Sequence, residues 1–146
     1  MNHGLRHPPS MRHRRRSSPG ERDRLGLEAA GPVLALECRH FAGPRPFSHE
    51  ARLISLAAVP EAAQETFERI APGPWLIERV PWSAAEHRIR AAAADAHVAA
   101  ALDIAPGAPC LVVERRTWSA ERPVTHVRFT YAAESHALVA RFTPAT

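Results

Sequence analysis

The chain of 146 residues has no lysine, so each of its 19 basic side chains is an arginine. Cysteine is scarce, with Cys38 and Cys110 the only two. They stand in strand-like stretches at opposite parity, with no zinc-type spacing. A disulfide is allowed by count, but buried free thiols are the expectation. No apolar run approaches the roughly 18 residues of a membrane span, and no signal-peptide core follows the basic start. No membrane partner and a cytoplasmic location are therefore expected. The motifs of common catalysts are also missing: no G-x-S-x-G elbow, H-E-x-x-H pair, phosphate loop or dinucleotide fingerprint. Neither cysteine has the histidine and acid that would activate it. His3, His7, His13, His87, His97 and His136 show no metal-ligand spacing. No enzyme activity, metal or cofactor is expected.

Charge is uneven. Residues 1–24 hold seven arginines against Glu21 and Asp23, whereas residues 25–146 hold twelve against thirteen acids. The main body is thus nearly neutral and has no evident groove for a phosphate backbone. The arginine-rich start lacks apolar periodicity, and 1–24 reads as a disordered extension preceding one domain over 25–146. Either an inert extension or a nonspecific nucleic-acid tail fits that composition.

An internal repeat is present. Sliding the chain by 77 residues places Leu25, Pro32, Leu34, Glu37, Arg39, Arg45, Pro46 and His49 on Leu102, Pro109, Leu111, Glu114, Arg116, Arg122, Pro123 and His126, without a gap. Each copy reads as a β-hairpin entered through a proline, where the missing amide donor is harmless. Two copies imply a pseudo-symmetric antiparallel sheet, because a solenoid needs at least three. The proline-bearing connections after residues 41 and 118 look like hairpin loops of about five residues. Ser18 and Asp95 are placed to cap short helices over 19–27 and 95–102. Between the copies, a helix from Pro60 to about Ile70 and a strand over 75–80 are expected. Ser83-Ala84-Ala85-Glu86 and the alanine-rich run to Leu102 allow one long helix. A strand over 86–93 ahead of the 95–102 helix is preferred, because one long helix would leave too few strands for a symmetrical sheet. A closing strand is expected over 137–142.

Strand parity locates a possible site. Val127, Phe129 and Tyr131 share a face with Thr125, and the corresponding positions of the first copy are Glu50, Arg52, Ile54 and Ser48. A carboxylate turned toward the core must be paired or bound, because burying it alone is costly. The parity allows a polar cavity lined by His40, Glu50, Arg52, Thr125 and Tyr131. It also allows an internal Glu50–Arg52 or Glu50–His40 pair, or a face simply open to solvent. Arg79 and Glu86 are further pocket positions or rim ion pairs. Trp75, Trp82 and Trp118 suit core, interface or pocket wall. His49 and His126 share the other parity and are expected at the surface.

The stretch APGAPCLVVERRTWSAERPVTHVRFTY, with LVARFTP beyond it, resembles the end of the histidine-utilisation repressors, members of the GntR family with a UTRA sensing domain. VLALECRHFAGPRPFSHEARLISLAAVPEA and WLIERVPWSAAEHRI are similar to earlier parts of that domain. The resemblance implies an α+β, chorismate-lyase-like fold, a mostly antiparallel sheet of about six strands with packed helices. It also implies a homodimeric sensor for a small anionic effector, urocanate in the histidine branch. Cys38 and His40 stand where sugar-phosphate-sensing relatives carry two arginines, which favours a planar monoanion over a phosphate. By the same resemblance Glu50 would accept from an imidazole N–H, Arg52 or Arg79 would meet the carboxylate, and His40 and Tyr131 would orient the ring. Operator DNA would be reached only through a winged helix, a pattern that residues 1–24 do not contain. A dimerisation module and a chorismate-lyase-type enzyme using Arg52, Arg79 and Arg115 are the alternatives.

Overall fold

The 77-residue offset reappears element by element in the computed structural model, which describes residues 7–144. Helix α1 (Pro19–Leu25) has its counterpart in α3 (Ala96–Leu102). The hairpin of β2 (Pro32–Ala42) and β3 (Arg45–Ser55) has its counterpart in β5 (Pro109–Ser119) and β6 (Arg122–Ala132). Even the register shift recurs, between His40 and Phe41 and again between Thr117 and Trp118. With β1 (Met11–Arg16) and β4 (Ala84–Ala93) on the outside, one antiparallel sheet runs β1-β2-β3-β6-β5-β4. At its centre Ala51 lies opposite Arg128, its own repeat mate, so the pseudo-dyad passes between them.

Local chemistry explains the paired helices. Ser18 Oγ accepts from the Glu21 amide at 3.2 Å while Glu21 accepts from the Ser18 amide at 2.9 Å, a reciprocal capping box. Asp95 accepts from the Val98 amide at 2.8 Å. Gly26 ends α1 at φ 81° and its mate Asp103 ends α3 at φ 56°, both left-handed. Each helix packs on the other repeat's inner strand, α3 on β3 and α1 on β6. On this face lie Val33, Ala35 and Leu53 under Leu25, and Cys110 under Val98, Ala99 and Leu102. The opposite face carries Leu34, Leu36 and Ile54, covered by residues from the connection between the repeats. Both cysteines are buried, and they form no disulfide with each other.

Several expectations are corrected. Within 1–24, residues 11–16 are not disordered but form β1, paired from Met11 opposite Glu37 to Arg16 opposite Pro32. The arginines there serve the fold. Arg12 donates to the carbonyls of Ala63 (2.7 Å) and Glu65 (2.9 Å), and Arg15 pairs with buried Glu21 at 2.6 Å. Their charge also guards an open sheet edge. Residues 1–6 of that extension lie outside the described residues. The hairpin turns contain two residues, because the register shifts carry Pro46 and Pro123 into the strands.

In the connection, Pro60–Gln64 is a single 3-10 turn rather than the start of a helix to Ile70. Phe67 takes a left-handed conformation, with φ 60°, and its buried ring lies edge-on to Trp75 at 5.3 Å. The expected strand over 75–80 is instead α2 (Pro72–Arg79), with Pro72 at its first turn. Pro72, Trp75 and Leu76 follow helical spacing and are buried. No strand forms over 137–142, since β3 and β5 already occupy both sides of β6. Among the described residues, no helix is long and apolar enough to cross a membrane.

If β1 and α1 belong to the cooperative fold, Ser18→Ala lowers the unfolding free energy in urea by about 1 kcal/mol, as Asp95→Ala does in the other repeat. No change for Ser18→Ala would mean that the first turn of α1 contributes nothing to the fold.

Candidate functional site

Alternation along β3 turns Glu50 and Arg52 to the face away from α1 and α3, where both are almost wholly buried. One Glu50 oxygen meets His40 Nε2 at 2.6 Å, and the other accepts from Arg52 Nε at 2.6 Å. Burial pushes the Glu50 carboxyl up, but the Arg52 charge and the hydrogen bonds from His40 and Arg52 outweigh it and hold its pKa at about 2. The group is therefore a carboxylate at neutral pH. Both internal pairs left open by strand parity are formed at once.

With Nε committed to Glu50, the Arg52 guanidinium reaches onward to the first turn of α2. A Cβ added at Gly73 would stand 3.6 Å from Arg52 Nη2, an ordinary contact. Here α2, the start of β4 and the strands β3, β5 and β6 border an open-sided cavity of about 250 Å³. Leu76, Ile77, Val80, Trp82 and Val124 form its apolar wall, and Arg52, Arg115, Thr117, Thr125 and His87 supply the polar groups. Thr117 and Thr125 lie opposite each other on β5 and β6, with hydroxyls 2.6 Å apart.

Arg115 makes no ion pair among the described residues. Burial lowers its pKa, the charge of Arg52 lowers it further, and Glu50 opposes them. Two guanidinium groups thus face one apolar cavity whose nearest carboxylate is already committed to one of them. Such a cavity suits a small anion with a flat apolar body.

The sequence-derived positions divide. Arg52 and Thr125 line the cavity, while Glu50 and His40 stand behind Arg52 and do not line it. Tyr131 stacks on His136, with ring centres 3.9 Å apart, away from the cavity wall. Arg79, on a helix rather than a strand, sits over the Trp75 ring at 4.8 Å. Glu86 pairs with Arg116 at 3.2 Å and lines a different surface depression. Arg115, Thr117, His87 and Trp82 complete the cavity. For Arg115 and Thr117 the signal was strand parity, since they share a face with Leu111 and Val113. His49 and His126, expected at the surface, are buried because α1 and α3 cover their side of the sheet.

Residues 11–137 match the family model described as the UTRA domain. The chain is 34% identical over 131 residues to a histidine utilization repressor of Pseudomonas putida, covering 81% of this chain and 53% of that protein. It is 31% identical over 103 residues to a histidine utilization repressor of Klebsiella aerogenes, covering 70% of this chain and 43% of that one. The chain thus spans about half the length of the curated relatives it matches. Among solved structures, the C-terminal domain of histidine utilization repressor from Pseudomonas syringae pv. tomato matches with TM-score 0.86 and 27% identity, covering 93% of this chain and 96% of that one. The effector domain of PhnF from Mycobacterium smegmatis shares the fold, with TM-score 0.82 and 16% identity over 94% of this chain and 86% of that one.

The buried Glu50 sets an acid limit on stability. Its folded pKa of about 2 lies below the ordinary value of 4.5, so its contribution is complete above the ordinary value. That contribution drains away as the pH falls toward 2. Glu50→Gln leaves Arg52 buried without its partner, costs about 3–5 kcal/mol at neutral pH, and makes the acid loss of stability shallower than in the parent. Urea unfolding at neutral pH and in acid checks both.

Proposed function

This chain belongs to the UTRA-domain family, and we propose that it is the effector-sensing domain of a repressor of histidine utilisation, with urocanate as its effector. The observation that carries this reading is Arg115, without an ion-pair partner among the described residues, beside Arg52 in a cavity walled by Trp82 and aliphatic side chains. Urocanate is a flat imidazole-acrylate monoanion. Its carboxylate takes both guanidinium forks, and its ring lies against Trp82, Leu76 and Ile77. The Thr117 and Thr125 hydroxyls and His87 offer hydrogen bonds to the ring nitrogens. Glu50 then acts one step back from the ligand: it positions Arg52, and His40 shares its charge.

Transmission is a shift between populations of the sensor. A bound anion cancels the repulsion between Arg52 and Arg115 and ties α2 to the sheet. That favours one arrangement of a homodimer. Winged-helix readers in the intact cytoplasmic regulator then cease to match two operator half-sites. The relatives are transcriptional repressors rather than enzymes, and no catalytic step is assigned to the cavity.

Isothermal titration of the chain with urocanate is expected to show saturable binding. Histidine, whose ammonium group would enter beside two guanidinium groups, gives none at the same concentration. Arg115→Met is expected to weaken urocanate binding about 10- to 100-fold, the loss of a charge-assisted hydrogen-bond pair. No heat with millimolar urocanate, or unchanged affinity in Arg115→Met, would overturn the assignment.

A further inference from the structure

Glu37, His49 and His97 lie on three different elements, yet their ligand-type atoms all come within 4.8 Å of one another. Glu37 Oε1 is 2.8 Å from His49 Nε2 and 2.5 Å from His97 Nε2. Both imidazoles therefore present the same nitrogen to the same oxygen. Were both nitrogens unprotonated, three lone pairs would confront one another, so the cluster calls for protons or a cation between them. We propose that Glu37, His49 and His97 bind one divalent transition-metal ion of the zinc class.

The pseudo-symmetry supplies an internal comparison. The repeat mates of Glu37 and His49 are Glu114 and His126, which form the same diagonal contact at 3.2 Å. In that copy Arg90 lies on the carboxylate, at 2.9 Å, and brings the positive charge with it. No arginine pairs with Glu37 among the described residues. Its second partner is instead His97 from α3, an imidazole whose repeat position in α1 is Gly20. One copy is thus closed by a fixed cation. The other replaces that cation with a group able to bind one.

The donor set selects the ion. Two imidazoles and one carboxylate suit zinc and its neighbours, whereas magnesium and calcium prefer oxygen ligands. Bonds of roughly 2.0–2.1 Å put tetrahedral ligands about 3.3 Å apart. The two contacts to Glu37, at 2.8 and 2.5 Å, lengthen by roughly 0.5 and 0.8 Å to reach that spacing, while the three ligand atoms already lie within 4.8 Å of one another. Buried His49 forms the floor, and His97, with 70% of its side chain exposed, opens the site to solvent. Water fills the remaining coordination, so the ion would staple α3 of one repeat onto the β2–β3 hairpin of the other. The ligands are 12 and 48 residues apart in sequence, which is why no spacing motif announced them.

The test uses the full chain, without an affinity tag and stripped with chelator, titrated with zinc chloride. One equivalent per chain and a rise in melting temperature are expected. Magnesium gives neither. His97→Ala, at an exposed position whose loss does not threaten folding, is expected to lower zinc affinity at least tenfold and to remove the thermal shift. His13→Ala, an exposed histidine outside the cluster, retains both. Cobalt(II) in place of zinc should give a visible absorption band that His97→Ala abolishes. Absence of saturable zinc binding below about 100 μM, or equal binding and equal thermal shift in His97→Ala, would overturn the site. Neither outcome bears on urocanate binding, which uses the opposite face of the sheet.

Discussion

The Glu50 carboxylate, sealed between His40 and Arg52, is the constraint on which the site depends. A buried carboxylate without partners would be costly, and so would a buried guanidinium. Each makes the other tolerable. The resulting pair fixes Arg52 with Nε turned inward and its remaining N–H groups toward α2 and the cavity. Arg115 has no such partner among the described residues and adds a second positive charge to the same space. The cavity is left electrostatically incomplete, a condition that an anion relieves.

The two repeats have divided the work. Both keep the capped helix, the bulged hairpin and the diagonal glutamate–histidine contact, features that build the sheet. They differ where chemistry is placed. Glu50 and Arg52 on β3 have Val127 and Phe129 as mates on β6, and Arg115 and Thr117 on β5 have Cys38 and His40 as mates on β2. The cavity therefore draws one arginine from each copy. The connection between copies covers the first repeat's sheet face with Phe67, Trp75 and Leu76 and supplies one wall of the cavity through Leu76, Ile77, Val80 and Trp82. The symmetric frame becomes asymmetric where this connection packs on one repeat's face.

Much of this frame was legible in the residues. Ser18 and Asp95 announced their helices, and the 77-residue offset announced the paired hairpins. Period-two parity put Glu50 inside. The failures have separate physical causes. β1 carries few apolar residues, and its Arg12 and Arg15 contribute through hydrogen bonds and an ion pair rather than hydrophobic burial, so composition alone suggested disorder. Residues 56–83 have no second copy for comparison, and Trp75 to Val80 reads as well in strand alternation as in helical spacing. Only the burial of Pro72, Trp75 and Leu76 on one side of α2 decides it. Arg79 was attached to the site through that misread segment, whereas Glu86 lies on a strand that was read correctly and is taken up by Arg116. His49 and His126 were assigned to solvent because parity identifies a face but not what covers it. Two short helices crossing from opposite repeats cover this one.

The most direct measurement is the nitrogen-15 NMR spectrum of the arginine side chains, with Arg52→Lys used for assignment. If Glu50 holds Arg52 from inside the sheet, the Arg52 Nε–H resonance is shifted away from the crowd of surface arginines and exchanges slowly with water. It should persist in that state at neutral pH with no ligand added. An Arg52 Nε–H that exchanges as fast as those of the exposed arginines would show that the guanidinium is free of Glu50 and that the cavity has no fixed anion-binding group.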